Sequence, residues 1–302
     1  MPGLEPTSRA GAREASRDGD IALTGRLLEE LTTLVSVAGA AILAVRARSL
    51  DARTKADLSP VTACDHAAEA VILEGLARLL PGVAVVSEEA SDCALPVSLP
   101  DNFILVDPLD GTRELVAGRD EFTVNVAFVS GGRPRLGIVA APAQGVLWRG
   151  IEGQGAERLR LSAGAPAGAA QERTAIRTRP LPRAGLVAAV SRSHLDAETE
   201  AFLARLPVIG RLACGSAVKF CQLAEGAADV YPRLSTTCEW DVAAGHAVLT
   251  AAGGTVVTPE GAPLNYGWIS RDCRVPAFVA WGDPSAPARF GIQGSARTPP
   301  KG

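Results

Sequence analysis

Two short apolar runs, each closed by acids, constrain this chain more than any other feature. Val83-Ala84-Val85-Val86 leads into Ser87-Glu88-Glu89, and Phe103-Ile104-Leu105-Val106 leads into Asp107-Pro108-Leu109-Asp110-Gly111-Thr112. An unbroken apolar run of this length reads as a strand buried on both faces, so other elements must cover it on each side. Two carboxylates as close as Asp107 and Asp110 cannot both stay ionised unaided. At 4 Å and an effective dielectric of 20 their repulsion is roughly 4 kcal/mol. A hard divalent cation removes that penalty and favours oxygen ligands. Free N–H groups at Gly111 and Thr112 make a seat for phosphate. An isolated D-x-x-D is ordinarily a turn; the apolar strand before it and the acid-tipped strand upstream argue for a site. Asp241 opens a helical stretch, where an acid also complements the helix dipole. For Asp241 both readings stand on the residues alone.

The remaining pattern fills in the layers. Residues 23–46 carry Leu27, Leu31, Leu34, Val35, Ala38, Ile42 and Val45 at helical spacing, and a second helix is predicted over 65–80, stopped by Pro81-Gly82. From 122 to 160, strand-like stretches separated by turn residues predict an antiparallel meander, and 162–170 reads as loop. After residue 183 strands and helices alternate, the α/β rhythm. The predicted fold is a layered αβαβα sandwich. It comprises an α+β metal-binding half (23–182), an α/β substrate-binding half (183–290) and loose tails at 1–22 and 291–302.

With 30 basic and 33 acidic residues the net charge is -3, which argues against a nucleic-acid polymer as partner. A small phosphorylated substrate can instead meet its positive charge at bound cations. No unbroken apolar run of about 18 residues is present, so no membrane span is expected. The polar N-terminal stretch, with Glu5, Glu14, Asp18 and Asp20, resembles neither an export nor a transit signal. Six cysteines, at 64, 93, 214, 221, 238 and 273, show no C-x-x-C spacing. Free thiols and a cytoplasmic chain, in solution or peripheral at the inner membrane, are the expectation. Cys214 and Cys221 read as buried small hydrophobes, and Trp240 as core. Oligomeric state is not encoded in any visible pattern.

Taken together, SEE at 87–89, DPLDGT at 107–112 and WD at 240–241 resemble the three signatures of the inositol monophosphatase superfamily, over roughly residues 25–285. Within it, DPLDGTRE, SPVTACD (59–65), SRSH (191–194), GSAVKF (215–220) and YPR (231–233) are similar to the CysQ-type 3'(2'),5'-bisphosphate nucleotidases. The resemblance implies the sugar-phosphatase fold and two to three Mg²⁺ ions. One ion would take Glu88, Asp107 and the Leu109 carbonyl; a second would take Asp107, Asp110 and Asp241; a third would share Glu88. Four carboxylates and three Mg²⁺ leave the site at about +2 for a phosphate dianion.

The resemblance also implies Asp65 and Thr112 as the pair that activates water, although each reads equally as a helix N-cap. Glu88, Gly111, Thr112, His194, Ser216, Lys219, Arg233 and Asp241 would contact the substrate. Ser216 and Lys219, three apart, are predicted to share one helix face. A lone Lys, Arg or His is ordinarily a solvated or satisfied group; the surrounding motifs are what single these out. The implied reaction is hydrolysis of adenosine 3',5'-bisphosphate to AMP and phosphate by metal-activated water, with 3'-phosphoadenylyl sulfate as a related substrate and Li⁺ as inhibitor. The alternatives are an inositol- or sugar-phosphate phosphatase of the same fold and a catalytically silent binding protein.

Overall fold

The first helix, α1 (Gly25–Arg46), is capped by Thr24, whose hydroxyl accepts the Leu27 N–H at 3.2 Å. In this computed structural model the described residues are 21–48, 52–54, 60–91, 98–192, 196–267 and 273–292. The expected tails up to residue 20 and beyond 292, together with His194 and Cys93, lie outside them. Among the described helices α1 alone is, by length and composition, long and apolar enough to cross a membrane, although polar residues interrupt it throughout. Its apolar face, including Leu31, Val35, Ala38 and Ile42, is buried in the protein core.

After a short antiparallel pair, β1 (Ala52–Thr54) and β2 (Pro60–Thr62), comes α2 (Ala63–Leu79). It crosses α1 closely: a Cβ on Gly75 would lie 2.2 Å from Leu34 Cδ1. Seven strands then form one sheet in sequence order: β3 (Ala84–Ser87), β4 (Asn102–Asp110), β5 (Thr123–Ser130), β6 (Arg133–Ala141), β7 (Val146–Ile151), β8 (Gly155–Arg160) and β9 (Glu172–Ile176). The short helices α3 (Glu88–Ser91) and α4 (Thr112–Val116) follow β3 and β4. β3 and β4 run parallel and all later pairs antiparallel, as the meander predicted. β9 was not anticipated, because its exposed residues Glu172-Arg173-Thr174-Ala175 carry no apolar alternation.

The second sheet joins β10 (Leu186–Ser191), β11 (Val208–Cys214), β12 (Val230–Arg233), β14 (Thr255–Val257) and β16 (Phe278–Trp281) in the order β11-β10-β12-β16-β14. β13 (Thr237–Cys238) and β15 (Arg274–Val275) form a separate pair. Helices α5 (Ala197–Leu203), α6 (Val218–Ala224), α7 (Glu239–Ala251) and α8 (Ala286–Arg289) complete the chain. The sheet is mixed, since β16 runs antiparallel to both β12 and β14.

Three hydrophobic clusters define the layers. One lies between α1, α2 and the large sheet (Ile42, Ile72, Ile104, Val106, Val126). The central one joins the other face of that sheet to α6, α7 and the small sheet (Phe103, Leu105, Phe220, Val242, Phe278). The third lies between the small sheet and α5 and α8 (Val190, Phe202, Trp281, Ala286). The order helix, sheet, helix, sheet, helix is the predicted sandwich.

Across the outer layers, Arg149 is almost wholly buried and binds Glu29 at 2.5 Å, Glu157 at 2.6 Å and Thr32 at 2.8 Å, tying α1 to β7 and β8. His246 of α7 shares a hydrogen bond with the Tyr266 hydroxyl at 2.9 Å. Burial, with the Arg133 charge second, holds this imidazole down at about 3. The unfolded chain therefore takes up a proton near the usual value of about 6.5 that the folded chain refuses, so stability falls as pH drops from there towards 3. Chemical denaturation of wild type and His246→Gln at pH 7 and pH 4.5 is expected to show wild type losing about 2 kcal/mol more than the variant. Parallel losses would place the acid sensitivity elsewhere.

Candidate active site

β4 carries the two central acids, and its register explains how both reach one site. In a regular strand, residues three apart point to opposite faces. Asp107 pairs with Asn125 and Asp110 with Thr123, three steps on one strand against two on the other, so a one-residue bulge lies between them. Pro108, which has no N–H to give, sits within the bulge. Before it, Phe103 and Leu105 face α7 while Ile104 and Val106 face α1 and α2; after it, odd-numbered Leu109 joins the α1/α2 side. The bulge thus returns Asp110 to the face of Asp107. Where an isolated D-x-x-D would ordinarily form a turn, this motif lies in an extended, bulged strand.

Asp107 is 1% exposed. Its Oδ1 accepts the Leu109 N–H at 3.0 Å, and its Oδ2 is buried with no hydrogen-bond partner. Burial pushes its pKa well above the ordinary carboxylate range, and the charges of Glu88, Asp110 and Asp241 push it further. Asp110 is pushed up to about 6 by burial and by Asp241, against the opposing pull of Lys219 and Arg233. Glu88 begins α3 at the end of β3, the parallel neighbour of β4. Asp241 lies in the first turn of α7, where it accepts the Cys238 N–H at 3.2 Å and the Thr237 hydroxyl. It is both a helix-start acid and a member of the cluster.

These oxygens suit a hard cation: four carboxylates within range to repel one another, and one buried oxygen unbonded. Among the described residues, no three His, Cys, Asp or Glu side chains already surround a single point at ligating spacing.

Thr112 and Asp65 meet. The Thr112 hydroxyl lies 3.1 Å from Asp65 Oδ1 and 3.2 Å from the Leu109 carbonyl. Neither residue is the N-cap that the sequence offered as an alternative. Thr62 caps α2, with Asp65 as the third helical residue returning Oδ2 to the Thr62 N–H (2.8 Å) and hydroxyl (2.7 Å). Gly111 caps α4 at φ +98°, and a Cβ there would lie 2.5 Å from Ser216 Oγ. Glu69, one turn after Asp65 on α2, escaped the sequence reading. It accepts the Ser87 hydroxyl at 2.5 Å and the Ala90 N–H at 3.0 Å, holding the segment that carries Glu88. The i, i+4 spacing of Asp65 and Glu69 was its only signal.

The opposite wall is cationic, with one correction. Ser216 precedes α6 and has φ +50°, so it does not share a helix face with Lys219. Its hydroxyl lies 2.9 Å from the Asp110 carbonyl and 3.0 Å from the Glu121 carbonyl, and Lys219 Nζ donates to its carbonyl at 2.6 Å. Lys219 is buried, 5.3 Å from the Tyr231 ring centroid. Arg233 ends β12 with its Nε buried and unbonded. Glu88, Asp110, Gly111, Thr112, Ser216, Lys219, Arg233 and Asp241 all line one cleft of about 290 Å³, to which Arg113, Glu114, Ser191 and Gly215 also contribute. Trp240 packs in the core, Cys221 is buried and Cys214 half-buried, and Cys64, Cys214, Cys221 and Cys238 are free thiols.

This fold and this acid-lined cleft define a phosphatase architecture, and residues 26–282 match the inositol monophosphatase family. The chain belongs to that family. It is 40% identical over 244 residues to the 3'(2'),5'-bisphosphate nucleotidase CysQ of Escherichia coli strain K12, covering 80% of this chain and 94% of that one. To the Buchnera aphidicola protein of the same name it is 34% identical over 248 residues, covering 82% and 89%. Among solved structures, CysQ from Bacteroides thetaiotaomicron aligns with a TM-score of 0.71 at 31% identity over 86% of this chain and 98% of that one. The Thermotoga maritima IMPase shares the fold, with a TM-score of 0.69 at 21% identity over 89% and 96%.

A buried carboxyl with a raised pKa destabilises the cation-free protein at neutral pH. In chelator, Asp107→Asn is expected to raise the thermal midpoint by several degrees, about 1–3 kcal/mol. The same variant is expected to lose the further rise that Mg²⁺ gives wild type. A midpoint that falls in chelator, or a Mg²⁺ response that survives, would contradict this account of Asp107.

Proposed function

We propose that this chain is a Mg²⁺-dependent 3'(2'),5'-bisphosphate nucleotidase that converts adenosine 3',5'-bisphosphate to AMP and phosphate, with 3'-phosphoadenylyl sulfate as a second substrate. The observation that carries the reading is a pair of unmet needs in one region: the buried, unbonded Asp107 Oδ2 and the buried, unbonded Arg233 Nε. The first suits a cation and the second an anion, and a phosphate ester with its metal supplies both. The names of the relatives at 40% and 34% identity support the nucleotide as substrate.

Glu88, Asp107, Asp110, Asp241 and the Leu109 carbonyl would hold two to three Mg²⁺ ions. When bound, the ions supply Lewis acidity at the phosphate and neutralise charge developing on the leaving oxygen. The chain's own groups do the rest. Thr112, donating to Asp65, keeps a lone pair to accept a proton from the attacking water. Asp65 cannot swing away, because Thr62 holds its other oxygen. Arg233 and Lys219 receive the second phosphate, and His194 the nucleoside.

Phosphate release should be compared for adenosine 3',5'-bisphosphate, inositol monophosphate and fructose 1,6-bisphosphate. The first is the expected preferred substrate, and chelation is expected to abolish release. Because Lys219 also supports Ser216, Arg233→Gln is the cleaner probe of the second phosphate. It is expected to lower kcat/KM for the bisphosphate about tenfold or more beyond its effect on inositol monophosphate. Equal losses on both substrates would count against the nucleotide assignment.

A further inference from the structure

The two sheets are joined beside the cleft through Glu121, in the connection between α4 and β5. Its Oε1 accepts from Arg192 Nη1 at 2.5 Å, its Oε2 from the Gly215 N–H at 3.2 Å, and its carbonyl from the Ser216 hydroxyl at 3.0 Å. Arg192, directly after β10, also donates from Nη2 to the Ala213 carbonyl at 2.9 Å. The loop between β11 and α6 is therefore gripped by one ion pair that spans both halves of the chain.

That loop needs holding. Ser216 occupies the left-handed region, which costs a residue bearing a Cβ roughly 1–2 kcal/mol. In this conformation its hydroxyl touches the Asp110 carbonyl at 2.9 Å, and the next residue, Ala217, presents its N–H to the Asp110 carboxylate. Among the described residues, Asp110 has no close side-chain hydrogen bond fixing its orientation: the Thr123 and Asn125 contacts are both 3.5 Å long. The loop backbone is the better-placed guide.

We propose that Glu121, locked by Arg192, is a positioning residue for Asp110: it holds the 214–217 loop in the strained conformation that orients the carboxylate towards a divalent cation. The inference rests on the reading of Asp110 as a cation ligand and adds the group that aims it. Partners that orient a ligating group characteristically change metal affinity about 10- to 100-fold when removed.

The test is calorimetric titration of the full chain with Mg²⁺ alone, without substrate, alongside a thermal melt in chelator. Glu121→Ala is expected to weaken Mg²⁺ binding about 10- to 100-fold, with a midpoint in chelator within a few degrees of wild type. Arg192→Ala is expected to give a smaller loss. The loss in the double variant should fall short of the sum of the two single losses, because the Arg192–Glu121 pair is shared by both. Glu121→Gln, which keeps an acceptor for the Gly215 N–H, should recover part of the affinity. Unchanged binding in Glu121→Ala, or losses that simply add, would overturn the proposal. Should Glu121→Ala fail to fold, unchanged binding in both Arg192→Ala and Glu121→Gln would overturn it equally. A wild-type chain that binds Mg²⁺ yet releases no phosphate from the bisphosphate would sink the nucleotidase reading and leave this one standing. A wild type that binds no Mg²⁺ would sink both.

Discussion

Asp107 sits in the interior with one oxygen unbonded and with the charges of Glu88, Asp110 and Asp241 bearing on it. An arrangement like this is unfavourable by several kcal/mol unless something compensates. Part of the compensation is local. Asp65 and Asp241 each occupy the first turn of a long helix, α2 and α7, where exposed backbone N–H groups favour negative charge. Lys219 and Arg233 pull on Asp110 from the far wall. None of these groups touches Asp107 Oδ2, which is why the site points outward to a cation.

A cluster that repels itself holds its shape only if the scaffold is stiff, and the packing under α7 supplies this. A Cβ on Gly137 of β6 would come within 2.3 Å of the Ala244 carbonyl, and one on Gly150 of β7 within 2.6 Å of Ala251 Cβ. The bare backbone at these two positions lets the helix lie directly on the sheet, which fixes where its first turn, and hence Asp241, stands over β4 and β5. On the opposite face the Arg149 cluster pins α1 to β7 and β8, and the Glu29 carboxyl there is held down at about 2, with the Arg173 hydrogen bond as the largest favourable cause.

Much of this was legible in the chain. Apolar runs ending in acids announced β3 and β4, because a strand covered on both faces has a one-dimensional signature. The layers followed from the helical and alternating periods. What periodicity cannot register is an offset. The bulge after Asp107 leaves no mark in composition, so the residues alone do not tell a D-x-x-D within a strand from one in a turn. Ser216 read as helical because GSAVKF has helical spacing, while in the fold it is left-handed and bonded to Asp110 of β4 and to Glu121 just before β5. β16 read as part of an alternating set, yet it runs antiparallel to β14, and among the described residues no helix bridges the two. Glu69 and Glu121 were invisible for a different reason: each acts through neighbours distant in sequence, and a single acid on a helix or loop carries no pattern.

The bulge makes the acid cluster a matter of parity. On either side of it the strand's odd and even positions exchange faces, so the side on which Asp110 emerges is set by its spacing from Asp107 and by the bulge together. Flattening the bulge while keeping all three steps would leave every charge in the sequence, yet it would turn that carboxylate to the apolar side that Val106 and Leu109 face. Deleting one residue between the two acids would remove the bulge and make the spacing even, and Asp110 would still emerge beside Asp107. Only an edit that changes spacing and bulge independently of one another would part the two carboxylates.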